Sequence, residues 1–380
     1  MIARNLSSMI PKRLNSKKAI ILIGPRQTGK TTLMKEIALS SDQQFLYWNC
    51  DDPATREKLT AITTDELKKI IGSCRTIVLD HIQRIENVNN TLRILTDQAD
   101  TIQLFTASSA IFESSVETSE PLTDHTQEFT LYPVSWEEFE EFTGIEESKS
   151  QLEMRVIYGM LPEVITNPGK EKEVLQKLMD NFIRKDILSH TSIRKRALIE
   201  KLLQILALHL GEERSLNELS DLVRVDKNTI NKYIGLMERD LIIFKLQPLS
   251  QAHHSEIKNG RRIFFYDTGI RNAIISNFSS LNLRQDANAL WENYCISERI
   301  KFLYYHQRIC NRFFWRTTSR KEVDYIEEYD GEFHAYAFSW NRKEKKIFSK
   351  TFLNAYPGVS SDIITPSNFS KFLTSAKVKL

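Results

Sequence analysis

Four positions near the start of the chain share a spacing that binds phosphate: Gly24, Gly29, Lys30 and Thr31 satisfy the pattern G-x-x-x-x-G-K-[ST]. In that pattern the loop of Gly24, Pro25, Arg26, Gln27, Thr28 and Gly29 wraps the phosphates with its backbone N–H groups. Lys30 reaches the terminal phosphates, the Thr31 hydroxyl holds Mg²⁺, and Thr32 stands beside it at the head of the following helix. A second candidate is Asp80, a carboxylate at the end of Arg75-Thr-Ile-Val-Leu-Asp80, which suits the acidic partner of Mg²⁺. His81 follows it, in a place where a side chain can orient an attacking water, a role open to His as a general base. The chemistry these residues imply is binding, and cleavage, of a nucleoside triphosphate such as ATP with Mg²⁺.

Such a loop needs a strand before it and a helix after it. Ala19-Ile-Ile-Leu-Ile23 is a short apolar run of the kind that a strand covered on both faces requires. Lys30 to Leu39 has good helix formers, with Leu33, Ile37 and Ala38 on one side, and its N-terminus adds a dipole aimed at the anion. Gln44 to Cys50 reads as a second strand ended by the turn Asp51-Asp-Pro53, and helical spacing resumes from Leu59 to Ile71. Arg75 to Asp80, a helix over Asn90 to Gln98 and the strand Ile102 to Ser109 continue the alternation. Strands and helices in this order give a parallel sheet with helices on both faces and ligands at the carboxyl ends of its strands.

The 380 residues are too many for one ordinary core and imply two or three domains. With 52 Lys and Arg against 49 Asp and Glu, a nucleic-acid surface must be a local patch and not a global field. Cys50, Cys74, Cys295 and Cys310 are scattered without metal-ligand spacing, which argues against a zinc site or a disulfide framework and fits a reducing, cytoplasmic setting. The opening residues lack a signal-peptide core, and no stretch has the length of a membrane span. Residues 1–16 read as an amphipathic segment, interrupted at Pro11, that covers the start of the first strand and turns a solvated basic face of Arg4, Lys12 and Arg13 outward.

Ser135 to Thr143 is expected to close the nucleotide domain. The pattern then predicts four segments: residues 1–145 as the P-loop domain, 146–194 as a helical linker or lid, 195–250 as a winged helix-turn-helix and 251–380 as an α+β domain. Within the third, a helix from Leu198 to Leu210 stops at Gly211, Ser215 and Glu218 form a capping box, and Asp226 opens a helix that runs to Arg239. Three helices followed by Ile242 to Leu246 give the winged-helix outline. In the last segment, Arg262 to Asp267 reads as a strand and Leu290 to Tyr304 as a helix. Arg312 to Thr317, Glu322 to Glu328 and Glu332 to Trp340 read as strands, the last two joined by the turn Tyr329-Asp-Gly-Glu332. Ser360 to Thr365 is a further strand candidate. The adjacent His253 and His254 point to opposite faces if extended, and read as a loop.

The order of motifs resembles the archaeal-type group of prokaryotic AAA+-like ATPases: Gly24 to Thr32, then Leu79-Asp-His-Ile-Gln-Arg84, Ser119-Glu-Pro-Leu-Thr123, Tyr132-Pro133, Tyr266-Asp-Thr-Gly269 and Leu290-Trp-Glu-Asn293. The resemblance covers essentially the whole chain. It implies an ATPase domain, a winged helix and a domain of PD-(D/E)XK restriction-endonuclease-like fold. It also marks departures. The family carries Glu where this chain has His81, Gly where it has Ala107, and Gly-Arg where it has Asp124-His125. For the nuclease-like site, Glu292 and Asp324 match two carboxylate positions, but Ala337-Phe-Ser339 stands where Glu-x-Lys belongs, with Glu322 and Lys321 as substitutes to consider.

Three readings follow. The first is an ATP-binding regulatory protein with weakened or absent hydrolysis. The second is a competent ATPase in which His81 or another group orients the water. The third is a DNA-binding winged-helix module with a structural P-loop, its groove-facing side chains being Lys227, Asn228, Asn231 and Lys232. Nuclease activity is not expected. Nucleotide is the expected partner, with DNA through the winged helix; no membrane partner is expected, and a homo-oligomer is compatible with ring-forming relatives.

Overall fold

The computed structural model describes residues 1–14, 18–40, 45–60, 62–72, 74–86, 88–96, 102–109, 126–185, 193–249, 260–341 and 346–374. Ser119 to Thr123, Asp124, His125, His253 and His254 lie outside them. The chain forms two compact units, Met1–Val134 with Arg239–Leu241, and Ser135–Glu238 with Ile242–Leu380.

The first unit holds a five-stranded sheet in the order β2-β3-β4-β1-β5, from β1 (Ala19–Ile23), β2 (Phe45–Asn49), β3 (Thr76–Asp80), β4 (Gln103–Ser108) and β5 (Thr126–Thr130). Every pairing in it is parallel, and β1 lies between β4 and β5. That place explains its composition: all five residues of β1 are buried, so each must be apolar. The helix Lys30–Ser40 buries Leu33, Met34, Ile37 and Ala38. The helical stretch expected from Leu59 to Ile71 is two helices, Pro53–Thr60 and Thr64–Ile71. Thr63 starts the second with a capping box closed by Glu66.

The second unit is built on a seven-stranded sheet. Its order is β12-β11-β10-β9-β7-β8-β6. The strands are β6 (Glu213–Arg214), β7 (Ile243–Pro248), β8 (Arg261–Phe265), β9 (Asn311–Arg316), β10 (Glu322–Tyr329), β11 (Glu332–Phe338) and β12 (Ser360–Ile364). β7 pairs antiparallel with β8 and parallel with β9. The segments read as a winged helix and as an α+β domain therefore share one sheet, and the boundary expected at residue 250 falls between neighbouring strands. Ser135–Thr143, expected to close the nucleotide domain, belongs to this unit, where the Glu298 carboxylate accepts from Trp136 N at 2.7 Å. The strand read as Arg262 to Asp267 stops at Phe265, because Asp267 turns away to accept from Ile270 N and caps the helix Thr268–Ile274. The turn between β10 and β11 forms as expected, with Asp330 and Gly331 both at positive φ.

The helix Ala287–Tyr305 is buried on nearly every side, charged residues included. Its Arg299 makes two N–H···O contacts of 2.8 Å to Glu327 on β10, and Glu327 is 0% exposed. Burial alone would lower the Arg299 pKa, but the Glu327 carboxylate outweighs it and holds the guanidinium above its ordinary value. Removing one member of a buried pair leaves the other charge uncompensated. Glu327→Ala is expected to destabilise the second unit by about 3–5 kcal/mol, read as a fall in the urea midpoint at unchanged slope.

Candidate functional site

The loop after β1 is shaped by close backbone approach. A Cβ on Gly24 would fall 2.2 Å from the Leu131 carbonyl oxygen, so no larger residue fits there. Gln27 and Gly29 take positive φ, which turns the chain sharply before the helix. Thr28 is fully buried and donates its hydroxyl to Pro25 O at 2.9 Å, which ties the loop to itself. Lys30 extends its ammonium back across the loop to Gly24 O and Pro25 O, both at 2.8 Å. The sequence motif is thus brought together as a cradle with a cation across it.

Beside it, Thr31 donates to the Asp80 carboxylate at 2.5 Å. Asp80 is 2% exposed and also accepts from the Tyr47 hydroxyl at 3.1 Å and from His81 N at 3.0 Å. Burial first, and then the facing Asp80 carboxylate, push the Tyr47 phenol well above its usual range, so it remains a donor. Lys35 lies 4.0 Å over the Tyr47 ring and helps fix it. A hydroxyl and a carboxylate in contact are the hard oxygen donors that Mg²⁺ takes. The residues present therefore fit Mg²⁺ with a triphosphate.

His81 takes a left-handed backbone, φ 58°. Its Nε2 lies 3.6 Å from Asp51 Oδ2 and 3.8 Å from Asp80 Oδ1, and Asp51 also faces Arg84 at 3.4 Å. Nδ1 is buried with no hydrogen-bond partner among the described residues. The imidazole is therefore directed by two carboxylates. At the end of β4, Ser109 accepts from Gln83 Nε2 at 2.8 Å, joining the ends of β3 and β4.

The second unit gathers a separate charged cluster. Arg262 on β8 reaches Glu292 at 2.9 Å, and Lys346 reaches Asp324 at 2.5 Å. Asp324 also accepts from Phe338 N at 2.9 Å, inside the β10–β11 hairpin. A cavity of about 190 Å³ opens beside them, lined by Glu322, Asp324, Ala337, Lys346, Ile347 and Phe348. Glu292, expected as a metal ligand or as a surface or ion-pairing residue, is buried and paired with a cation. Lys321 donates to Thr351 and does not enter the cluster; the lysine that does is Lys346. Each carboxylate matching a divalent-metal position faces a cation of the chain. Among the described residues no three His, Cys, Asp or Glu side chains are grouped to hold a metal ion.

Sequence reasoning passed over four residues of these sites. Tyr47 and Asp51 were read as parts of a strand and a turn, although both lie where β2 runs beside Asp80. Lys346 follows β11 at no motif spacing. Arg4 was assigned to a solvated face, yet its guanidinium is buried and donates to Thr28 O at 2.5 Å and to Tyr132 O at 2.7 Å. The N-terminal segment thus reaches the loop at the carboxyl end of β1. An Arg flanked by Ile2 and Leu6, both buried, was the available signal.

Known families match three successive segments of the chain, the first of which runs past Val134 into the second unit. Residues 16–140 match the family model described as an AAA domain, residues 149–282 a domain of unknown function (DUF8612) and residues 287–375 another (DUF4143). An uncharacterised protein of Mycobacterium tuberculosis is 22% identical over 357 residues, covering 93% of this chain and 76% of its own length. An uncharacterised protein of Methanocaldococcus jannaschii is 24% identical over 273 residues, covering 65% of this chain and 60% of its own. Among solved structures, the Holliday junction branch migration motor RuvB of Thermotoga maritima is 15% identical, covers 64% of this chain and 90% of its own, and superposes with a TM-score of 0.32. The domain match, the parallel sheet and the loop geometry support an AAA+-like P-loop ATPase domain in the first unit. No helix among the described residues is long and apolar enough to cross a membrane.

The Glu292 carboxyl supplies a pH test. Burial pushes it up to about 8 against the pull of Arg262, with Asp324 adding to the rise. A raised acid favours its neutral form in the folded state, so its contribution is fully present below its unfolded value and is lost as pH rises through about 8. Thermal stability should fall between pH 5 and 8 in the wild type, and Glu292→Gln, which cannot ionise, should flatten that slope.

Proposed function

We propose that the chain is an ATP-binding regulatory protein whose first unit holds Mg-nucleotide and hydrolyses it slowly or not at all. Gly24 to Thr32 would carry the phosphates, Lys30 the terminal ones, and Thr31 with Asp80 the Mg²⁺, which supplies charge neutralisation at the β- and γ-phosphates when bound. The observation that carries the reading is the Thr31–Asp80 contact beside Lys30, next to an imidazole where a water-orienting carboxylate is expected. Fixed donors and metal ligands suffice for binding. Turnover also needs a positioned base, which typically contributes about 10²- to 10⁴-fold.

A second reading, a competent ATPase, is favoured by one observation: His81 has Asp51 and Arg84 beside it, a set of polar groups able to orient water. Lys30→Ala should abolish Mg-ATP binding under either reading. His81→Glu should raise turnover at nearly unchanged affinity if the first holds. Fast wild-type turnover that His81→Ala abolishes would establish the second.

For the second unit we propose a winged-helix DNA-binding portion and a nuclease-like portion that has lost its chemistry. The helices Ile193–Leu208, Leu216–Val223 and Lys227–Arg239 followed by β7 and β8 support the first part. Lys227, Asn228, Asn231 and Lys232 are exposed on the third helix, and Arg261 donates to Asn231 at 3.2 Å. Few cations lie there, so DNA binding should be weak and steeply salt-dependent, and Lys227→Ala with Lys232→Ala should weaken it further. The cations on Glu292 and Asp324 support the second part. Linear and supercoiled DNA should survive incubation with Mg²⁺ or Mn²⁺, and cleavage that disappears in Asp324→Ala would overturn this. Self-association belongs to the same proposal and is read by sedimentation with and without Mg-ATP.

A further inference from the structure

Arg4 has a position that the nucleotide reading does not use. Ile2, Leu6 and Ile10 are buried, which seats the N-terminal segment in the first unit and leaves its exposed cations, Lys12 and Arg13, outside. Arg4 points the other way. One guanidinium nitrogen donates to Thr28 O at 2.5 Å and another to Tyr132 O at 2.7 Å, so a single planar group joins the phosphate loop to the chain leaving β5. The same two stretches already touch. Leu131 N donates to Ile23 O at 2.7 Å, and Gly24 abuts the Leu131 carbonyl closely enough to exclude a side chain.

The Thr28 carbonyl belongs to the peptide whose N–H is that of Gly29. In a planar trans peptide the C=O and N–H point in opposite directions. A guanidinium that fixes Thr28 O on the side of the N-terminal segment therefore turns Gly29 N–H to the opposite side. Gly29 is at φ 93°, a conformation with several alternatives for glycine, so the loop by itself does not fix this peptide. A charged donor on the carbonyl does.

We infer that Arg4 is a positioning residue of the phosphate site: by pinning Thr28 O and Tyr132 O it sets the Thr28–Gly29 peptide so that Gly29 N–H serves the phosphates of a nucleoside triphosphate. The inference rests on the nucleotide reading and deepens it. It also couples two events, since a group that stabilises the bound form of the loop must itself be held more firmly when the phosphates are bound. Nucleotide binding then orders the N-terminal segment, although none of its residues carries a P-loop motif.

The experiment measures equilibrium binding of a fluorescent ATP analogue with Mg²⁺, together with amide exchange over residues 2–10, in the full chain. Arg4→Ala should weaken affinity about ten- to a hundredfold, the scale of losing charge-assisted hydrogen bonds. Arg4→Lys, whose ammonium cannot span both carbonyls, should fall between that and wild type, and Arg13→Ala should match wild type. Exchange over residues 2–10 should slow on adding Mg-nucleotide in the wild type and respond less in Arg4→Lys, a change that a merely structural arginine would not produce. If Arg4→Ala fails to fold, Arg4→Lys carries the test. Should Lys30→Ala abolish binding while Arg4→Lys binds as tightly as wild type with the same exchange response, the Arg4 inference is wrong and the nucleotide reading stands. A wild-type chain that binds no Mg-nucleotide removes both.

Discussion

A carboxylate that is almost fully buried must be surrounded by donors, and in the first unit that requirement falls on Asp80. Thr31, Tyr47 and the His81 amide supply them, each from a different element: the helix after the phosphate loop, strand β2 and the turn after β3. Meeting the need of one group thus fixes the relative places of three segments. The strand order does the rest, since β3 and β1 are separated only by β4, and the carboxyl ends of all three open toward the same loops. The phosphate loop can then be mostly backbone, because its orientation comes from what surrounds it.

Those parts of the first unit that answer to burial were readable from residue types. A strand enclosed on both sides has to be a continuous apolar run, as β1 is, and a phosphate loop has to have glycine where Leu131 presses on it. β5, Thr126-Gln-Glu-Phe-Thr130, was missed because it is an edge strand with one neighbour and can be largely polar. Arg4 was missed for a related reason: a long cationic side chain is usually solvated, and only the fold reveals that two carbonyls wait for it. His81 was legible as a departure from a motif, but its neighbour Asp51 was not, because their proximity is created by the pairing of β2 with β3.

The second unit places its charges differently. Arg299 with Glu327, Lys301 with Glu298, Arg262 with Glu292 and Lys346 with Asp324 are all internal pairs on or against one long helix and the sheet. Such pairs stabilise little compared with apolar packing, yet they tolerate no vacancy, and so they specify which helix face meets which strand. The residue identities Glu292 and Asp324 were visible in the sequence. What they contact was not, because Arg262 comes from an earlier strand and Lys346 from beyond the hairpin.

β7 has a consequence for how this protein can be divided. It hydrogen-bonds on one side to β8 and on the other to β9, and Leu249 N continues the second ladder to Phe314 O at 2.7 Å. The three-helix portion and the carboxyl-terminal strands are therefore not modules on a string. A fragment cut at residue 250 would keep β7 but lose both of its neighbours, leaving Ile243, Phe244 and Leu246 on a strand with two open edges, which invites pairing with other chains. Exchanging either portion for another would require a replacement for that shared strand.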